Sequence, residues 1–389
     1  MASTKKIASA AAPTLTLREL NRATLARQML LARESTTPLE VLERLVGLQA
    51  QVPKPPFVGL WTRLERFEKG DLLDLVHRRE VVRATLMRVT IHLMTATDYA
   101  LLRPALQPAL TNGLRSAIGA RFHQLDIPVL VREGRAFFAK EPRTFGELRA
   151  RLTERYPAQD GNAMSYAVRT HVPLVQVPTD AKWGWPGNAD FTLADSWLAA
   201  KPASGAKPAR SAKPCILDGD EATRELVLRY LAAFGPASVR DAQAWSGHPG
   251  LAPVFEALRP ELAVFRDEKS RELFDLPAAP RPSADAGAPV RFLPEFDNLL
   301  LGHADRTRVF GEVKKATIFL SAARAIAAFL VDGLIAGSWR VERVKSTAKL
   351  TIEPFAKLPK AAQRALVDEA ERLVRFVESD ATSFEVIAK

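Results

Sequence analysis

Apolar residues recur every three or four positions over much of the first 120 residues, which is the spacing of amphipathic helices. Thr16 is a suitable N-cap for one such helix, and Thr37 followed by Pro38 marks the start of another. Further short helices are predicted over residues 57–67 and 70–79. The N-terminal part of the chain is therefore predicted to be mainly helical.

Residues 81–97, VVRATLMRVTIHLMTAT, depart from this spacing. They are rich in β-branched residues and alternate in polarity, which predicts a strand or a hairpin. Three segments elsewhere share one plan, in which Pro or Ser/Thr precedes a short helix: TTPLEVLERL, PRTFGELRARL (142–152) and GPASVRDAQAWSG (235–247). Strand-like stretches follow the second and third copies. Helices followed by a β-hairpin are typical of winged-helix proteins, so the repetition favours a DNA-binding architecture.

The last hundred residues show a different pattern. Strands are predicted for RFLPEFDNLLLGH, for RVF and for the pair LIAGSWRVER and KSTAKLTIEPF, with Gly337 in a turn. A closing amphipathic helix is predicted from the register of Ala362, Leu366, Ala370, Leu373 and Val377. This part is therefore predicted to be a small sheet packed by a helix.

Two Ala/Pro-rich segments without apolar periodicity, 199–214 and 277–289, are predicted to be a linker and a loop. The resulting fold class is mainly α with small β-sheets (α+β). The predicted organisation is a disordered tail at 1–14, a first winged helix at 15–125, a second at 126–198, a third at 215–276 and a β-rich element with a closing helix at 290–389.

The chain of 389 residues is basic, with a net charge of +11, 38 Arg and 17 Lys. Such an excess is a footprint of nucleic-acid binding, although a generally basic soluble protein would show it too. A single cysteine, Cys215, excludes an intrachain disulfide framework. No apolar run is long enough for a membrane span, so we expect a cytoplasmic protein without a membrane partner.

Several common catalytic motifs are absent. The six histidines are scattered, and no HxxH, HExxH or CxxC occurs, so no metal and no cofactor is expected. There is also no phosphate-binding P-loop and no GxSxG nucleophile elbow. Nucleotide-driven chemistry and triad hydrolysis therefore have no support.

Gln49-Ala50-Gln51 is the first candidate for chemistry. Gly47 weakens the preceding helix and Pro53 disfavours a helical Val52, so the chain is expected to leave the helix here. In extended backbone both carboxamides face one side, where they can position a water or a sugar-phosphate group. The alternative is two surface glutamines at a helix end.

The second candidate runs from Arg83 to His92. In a strand, Arg88, Thr90 and His92 share a face that can grip phosphates, and His92 can titrate near neutrality. The alternative is a half-buried strand with one solvated basic edge.

Three further features are weaker. Glu295 and Asp297 form a possible acid/base pair, against a turn in which Asp297 or Asn298 caps backbone. Two exposed tryptophans, Trp183 and Trp185, can stack bases, against a loop packed onto the core. The loop after Asn298 carries basic residues suited to a DNA backbone, namely His303, Arg306 and Arg308.

Six stretches together resemble the tandem winged-helix DNA glycosylases, the AlkZ-like family with its AlkX/YcaQ relatives: GLQAQVPKPPFVGLWTRL, RATLMRVTIHLM, LVQVPTDAKWGW, FGPASVRDAQAWSG, RFLPEFDNLLLGHADR and DGLIAGSWR. The resemblance implies three winged helices around a concave DNA channel and a C-terminal β-rich element. It also implies a monofunctional enzyme that removes N7-alkylated purines from double-stranded DNA and unhooks interstrand cross-links, without a cofactor. A monomer without an obligate protein partner is compatible with the sequence and is expected.

The catalytic signature of that family is Gln, an apolar residue, then Gln or Asp, and it falls on Gln49-Ala50-Gln51. The second Gln is similar to the antibiotic self-resistance branch, whereas the housekeeping branch carries Asp. Two other hypotheses remain. A non-catalytic winged-helix regulator would share the charge and the wings but has no need of the glutamine pair, and a hydrolase using Glu295 and Asp297 lacks an indicated substrate.

Overall fold

The computed structural model describes residues 12–200, 219–321 and 324–389. Most of the predicted linker at 199–214 lies outside the described residues, as do residues 1–11 of the predicted tail. The helices of the described residues are α1 Leu17–Arg27, α2 Pro38–Arg44, α3 Pro55–Trp61, α4 Lys69–His77, α5 Ala96–Leu102, α6 Gln107–Ile118, α7 Ile127–Phe138, α8 Phe145–Arg155, α9 Gly161–His171, α10 Ala194–Ala199, α11 Gly219–Phe234, α12 Val239–Ser246, α13 Ala252–Leu258, α14 Asn298–Leu301, α15 Thr307–Phe310, α16 Lys315–Ile318 and α17 Lys360–Val377.

The strands within the same ranges are short, apart from two near the C-terminus. They are β1 Thr14–Leu15, β2 Leu48–Gln49, β3 Val81–Thr85, β4 Ile91–Thr95, β5 Leu174–Gln176, β6 Phe191–Leu193, β7 Ala263–Asp267, β8 Glu272–Asp275, β9 Arg291–Leu293, β10 Phe319–Ser321, β11 Arg324–Ala325, β12 Ala328–Val331, β13 Leu334–Val344, β14 Thr347–Pro354 and β15 Ser383–Ala388. No helix in the described parts of the chain is both long and apolar enough to cross a membrane.

The predicted helix starts at Thr16 and Thr37 are confirmed. Each threonine accepts a hydrogen bond from the backbone of the glutamate three residues on, whose side chain in turn accepts from the threonine N–H. The same capping box starts α8 at Thr144 and α12 at Ser238. Because the box satisfies backbone donors that a helix leaves free, it fixes where these helices begin.

The strand or hairpin predicted at 81–97 is an antiparallel hairpin of β3 and β4 joined by a tight turn. It forms the centre of a five-stranded sheet with the order β2-β4-β3-β5-β6. Strand β5, which follows the second repeat, pairs with β3 through Val175 and Ala84. The strands after the first and second repeats therefore share one sheet.

The C-terminal part forms a second five-stranded sheet, β15-β14-β13-β12-β9, against which α17 packs. The predicted closing helix is confirmed, and its apolar residues Leu366, Ala370, Leu373 and Val377 are buried. They belong to the same apolar cluster as residues of α2, α3 and α4, and Phe376 stacks on Trp61. This shared core fixes the C-terminal sheet against the helices that flank the candidate glutamines.

Three local predictions were wrong. Thr14 lies in strand β1 and pairs with Arg266 of β7, so the tail does not extend to residue 14. The RVF segment belongs to helix α15 rather than to a strand. Gly337 lies inside β13, not in a turn, and the position requires glycine because a Cβ there would approach Cζ of Phe329 to 2.3 Å.

Buried arginine–carboxylate pairs connect parts of the chain that are distant in sequence. Arg63, after α3, binds Asp297 through two hydrogen bonds of 2.8 Å, and both side chains are fully buried. Asp297 also accepts from the Leu299 N–H and so caps α14. The alternative of a capping turn is confirmed, and Asp297 is not free to act as an acid or a base.

The Arg63–Asp297 pair predicts a large effect on stability. Replacing Asp297 by Asn leaves a buried guanidinium without its counter-charge, so we expect Asp297→Asn to lower the free energy of unfolding by about 3–5 kcal/mol in urea denaturation. Glu295→Gln is the matched control, since Glu295 forms no hydrogen bond or ion pair with any described residue. A loss below about 1 kcal/mol for Asp297→Asn, or equal losses for both variants, would contradict this role of the pair.

Candidate active site

The chain leaves α2 through a turn before the Gln49-Ala50-Gln51 segment, as predicted, and Gln49 lies in the short strand β2. Gly47 has a φ of +82°, and a Cβ there would lie 2.7 Å from the Leu93 carbonyl oxygen, so the turn requires glycine. Gln49 then lies directly opposite His92 of β4. Ala50 is buried and donates its N–H to the Ile91 carbonyl at 2.7 Å. A small apolar residue at position 50 fits this place in the core.

Both carboxamides are held through their oxygens by the β3–β4 hairpin. Oε1 of Gln49, a residue only 7% exposed, accepts a 2.8 Å hydrogen bond from Nη2 of Arg88. Oε1 of the exposed Gln51 accepts a 3.2 Å bond from the Ile91 N–H. Each amide keeps its Nε2 group and a second lone pair on Oε1 for another partner. The hairpin therefore orients both amides without exhausting their hydrogen-bonding capacity.

Arg83 supports the backbone of the same segment from the interior. It is buried, and it donates from Nε to the Ala50 carbonyl at 2.9 Å and from Nη2 to the Gln51 carbonyl at 3.2 Å. Burial, followed by the charge of Arg169, lowers the pKa of Arg83 to about 10. Arg83 belongs to the second candidate stretch, which was predicted to contact DNA, and in the structure its guanidinium is buried and binds these two carbonyls.

Arg88 connects Gln49 to helix α12. It lies in the hairpin turn with a φ of +54°, so it and Thr90 do not share a strand face with His92 as predicted. Its Nη1 donates to the Trp245 carbonyl in α12, and its Nη2 donates to Gln49. No carboxylate of the described residues pairs with it. Burial, followed by the charge of Arg306, lowers the pKa of Arg88 to about 10.

The tight contact with α12 depends on a glycine at its C-terminus. Gly247 ends α12 with a φ of +79°, and a Cβ there would lie 3.2 Å from the Arg88 backbone. Thr90 also serves the turn, since its Oγ1 donates to the Met87 carbonyl at 3.0 Å. The turn is therefore built to hold Arg88, and Thr90 is not a free surface group.

His92 is buried and neutral. Its Nδ1 lies 3.1 Å from the Thr90 carbonyl, so Nδ1 carries the proton and the Nε2 lone pair faces Nη2 of Arg88 at 3.5 Å. Burial, reinforced by the charge of Arg88, lowers the pKa of His92 to about 3. His92 therefore does not titrate near neutrality as predicted, because its buried ring stays neutral beside Arg88.

Glu295 lies beside the glutamine motif, although 246 positions separate it from Gln49 in the sequence. The two residues line one small cleft, together with Pro55, Gly59 and Pro294. The cleft has a volume of about 10 Å³, which is room for about one water molecule. Asp297 lies at its edge, but the Arg63 guanidinium takes up its charge. Glu295 is thus the free carboxylate of this cleft.

The two tryptophans that were predicted to be exposed, Trp183 and Trp185, pack against the core instead. Trp185 is 4% exposed and packs near the Arg83 guanidinium. Trp183 is half-buried and packs edge-on against Phe57, with ring centroids 5.1 Å apart. The prediction of two exposed, base-stacking rings was wrong, because both rings cover the core next to α3 and α4.

Of the predicted basic loop, only Arg306 lines an open cavity. Arg308 is 5% exposed and donates to the Pro236 carbonyl at 3.0 Å, so it is an interior group rather than a DNA contact. His303 is buried against the Phe234 carbonyl, and burial, followed by the charge of Arg308, lowers its pKa. Arg306 is half-buried, with its Cζ 4.7 Å from the centre of the Phe319 ring. It lines a cavity of about 780 Å³ beside α12.

The neutral state of His92 makes stability depend on pH. Between pH 6.5, the ordinary pKa of histidine, and about pH 3, the unfolded chain binds a proton that folded His92 does not. The free energy of unfolding should therefore fall as the pH drops through this window. When the pH is lowered from 7 to 5, we expect the free energy of unfolding of the wild type, measured by urea denaturation, to fall by about 2 kcal/mol more than that of His92→Gln.

The exposed His123 provides the control for that measurement. His123→Gln should lose as much stability between pH 7 and pH 5 as the wild type does. If His92→Gln and His123→Gln show the same loss, His92 is not the buried neutral group described above.

Comparison with known proteins supports the fold and gives the family of the chain. A family model for AlkZ-like DNA glycosylases matches residues 42–376. An interstrand DNA cross-link repair glycosylase of Streptomyces sahachiroi is 26% identical over 364 residues, which cover 90% of this chain and 93% of that protein. The solved structure of Streptomyces sahachiroi DNA glycosylase AlkZ covers 97% of this chain and 100% of its own, with a TM-score of 0.74 and 21% identity, and shows the same mixed α/β fold. The family model spans most of the chain, and the chain therefore belongs to the AlkZ-like family of DNA glycosylases.

Proposed function

We propose that the protein is a monofunctional DNA glycosylase that hydrolyses the N-glycosidic bond of N7-alkylated purines. In this proposal, Gln49 and Gln51 orient the attacking water beneath the sugar. The main support for this role is the position of the Gln49 carboxamide, which is fixed by Arg88 and lines a cleft with room for about one water molecule. Membership of a DNA glycosylase family supports the reaction class.

The chemistry of the lesion suits an amide pair. A carboxamide is a poor base, so it cannot drive hydrolysis of an ordinary nucleoside. An N7-alkylguanine is cationic and already a good leaving group, so its bond to C1′ is weakened before the enzyme acts. What remains is to place a water and to stabilise an oxocarbenium-like sugar, and fixed dipoles in a pre-organised site do both.

The charges around the motif also bear on the proposal. Arg88 brings a positive charge next to Gln49, which opposes a cationic sugar at short range. Glu295, the free carboxylate of the cleft, is the negative charge that lines the cleft with Gln49. Gln51 cannot supply the negative charge that an Asp at its position would carry. The site should therefore depend strongly on a leaving group that is already cationic.

The substrates we propose are interstrand cross-links and bulky N7-guanine adducts of a genotoxic natural product, removed as self-resistance. The relative from Streptomyces sahachiroi is described as an interstrand DNA cross-link repair glycosylase, which supports this class. A cross-linked base is tied to both strands, so an enzyme that flips its target fully into a tight pocket would be blocked. A water-sized cleft that leaves the base outside is compatible with such lesions.

The first test removes one carboxamide at a time. We expect Gln49→Ala and Gln51→Ala each to slow single-turnover release of N7-methylguanine from a duplex by about 100-fold or more, because a positioned dipole is lost. DNA affinity should change little. The measurement is alkali cleavage of the abasic site on a gel, with anisotropy for binding. Gln363→Ala, an exposed glutamine on α17, is the matched control and should excise at the wild-type rate.

The same gel with a duplex carrying an N7-guanine cross-link tests the substrate class. Unhooking by the wild type and its loss in both variants would support the proposal. Sequence-specific DNA binding without any strand scission would instead favour a non-catalytic regulator.

A second test concerns Arg88 as a positioning residue. Arg88→Lys keeps the charge but cannot bridge Gln49 and the Trp245 carbonyl with one planar group. We expect a roughly tenfold slower excision at saturating protein, at an unchanged dissociation constant for DNA. In the Gln49→Ala background the same substitution should cost nothing further, because there is no carboxamide left to orient. Additive losses in the double variant would show that Arg88 acts independently of Gln49.

A further inference from the structure

We propose that the cavity between α12 and the Asp305–Lys315 segment binds a backbone phosphate of the DNA strand that carries the lesion. Arg240, Arg306 and Lys315 supply the positive charge. This inference rests on the proposed function and specifies how the same site holds its substrate.

The cavity is large, open and lined by groups of both signs. Its volume is about 780 Å³, and its acidic residues are Asp241, Glu272 and Asp305. Each of them is already held by the protein. Asp241 accepts from Ser238 and from the Ala304 N–H, Glu272 pairs with Arg259, and Asp305 pairs with Arg271. The acids of the cavity are therefore not available to a cationic ligand.

The remaining cations have no such partner. Arg240 and Lys315 are exposed, and neither forms an ion pair with a described residue. Arg306 donates from Nε to the His303 carbonyl at 3.3 Å, and its Nη1 is buried without an acceptor among the described residues. A buried donor without an acceptor is costly, and a ligand oxygen would remove that cost. The three cations therefore give the cavity a positively charged lining that can bind an anion.

Helix α12 connects the cavity to the glutamine motif. The start of this helix lines the cavity, and its Trp245 carbonyl accepts from Arg88, which also binds Gln49. The charge of Arg306 contributes to the lowered pKa of Arg88, and neither guanidinium has a carboxylate partner among the residues described. Two half-buried cations that repel each other are both stabilised by an anion bound at one of them.

A phosphodiester of the substrate is the anion that fits these features. Arginine binds phosphate through paired donors, and lysine binds it as a point charge. The cavity is open at the surface, so a continuous strand can pass through without being threaded. A phosphate held here fixes the sugar of the lesion relative to Gln49, which is the geometry that hydrolysis needs.

The test measures the salt dependence of DNA binding. Each phosphate contact contributes about 0.9 to the slope of log affinity against log salt concentration. We expect Arg240→Gln/Lys315→Gln to lower that slope by about 1, as for one lost phosphate contact, and to weaken binding several-fold. Arg306 is left in place because it also packs on Phe319.

The matched control is Lys357→Gln/Arg364→Gln, which removes the same charge from two exposed residues outside the cavity. This control should keep the wild-type slope. Equal slopes for the two double variants would overturn the proposal, whether or not the protein excises alkylated bases. Absence of excision by the wild type would instead overturn the proposed function and leave the binding result interpretable.

A second measurement locates the phosphate. We use a series of duplexes in which 2′-fluoro N7-methylguanine, which resists excision, is the lesion. Each duplex also carries one neutral methylphosphonate, placed at a different position of the same strand. At one position near the lesion, the neutral group should weaken binding by the wild type but not by Arg240→Gln/Lys315→Gln. If no position couples to the two residues, or if the coupled position lies only on the opposite strand, the proposal is wrong.

Discussion

One guanidinium group determines the geometry of this active site. Arg88 donates from one nitrogen to Gln49 and from another to the backbone of α12, so the orientation of the carboxamide is tied to the position of that helix. Several other features follow from this bond. The hairpin turn adopts a left-handed conformation to present Arg88, Gly247 lacks a side chain so that α12 can approach, and His92 stays neutral beside the charge.

In the proposed mechanism, the same interaction favours a cationic lesion. Arg88 is half-buried, has no carboxylate partner among the described residues and raises the potential around Gln49, and Gln51 adds no negative charge. Such a site cannot stabilise a developing sugar cation as strongly as one with a carboxylate at position 51. The lesion must therefore contribute more of the driving force, which an N7-alkylated purine does.

Much of the fold was predictable because its signals are local. Capping threonines, the alternation at 81–97 and the apolar stripe of α17 depend on neighbouring residues, and the structure confirms them. The Gln49-Ala50-Gln51 motif and its exit from α2 were also predictable, from Gly47 and Pro53. The sharing of one sheet by the strands of two repeats was not, since it depends on the contact between Ala84 and Val175.

The basic residues were the least predictable part of the site. A sequence does not distinguish an arginine that faces solvent from one that satisfies buried carbonyls, and Arg83 and Arg308 are of the second kind. Arg63 and Asp297 are 234 positions apart, so their pairing has no local signal. Arg240 and Lys315 were missed because each is an ordinary surface cation until the fold brings both to one cavity.

In the proposed mechanism, neutral amides suffice because the leaving group is already charged. The decisive measurement compares single-turnover excision of N7-methylguanine with that of hypoxanthine, a neutral purine, at the same position of one duplex. We expect rapid release of the cationic base and a rate for the neutral base at least about 1,000-fold lower, a difference of about 4 kcal/mol in activation free energy. Comparable rates for the two bases would contradict this mechanism.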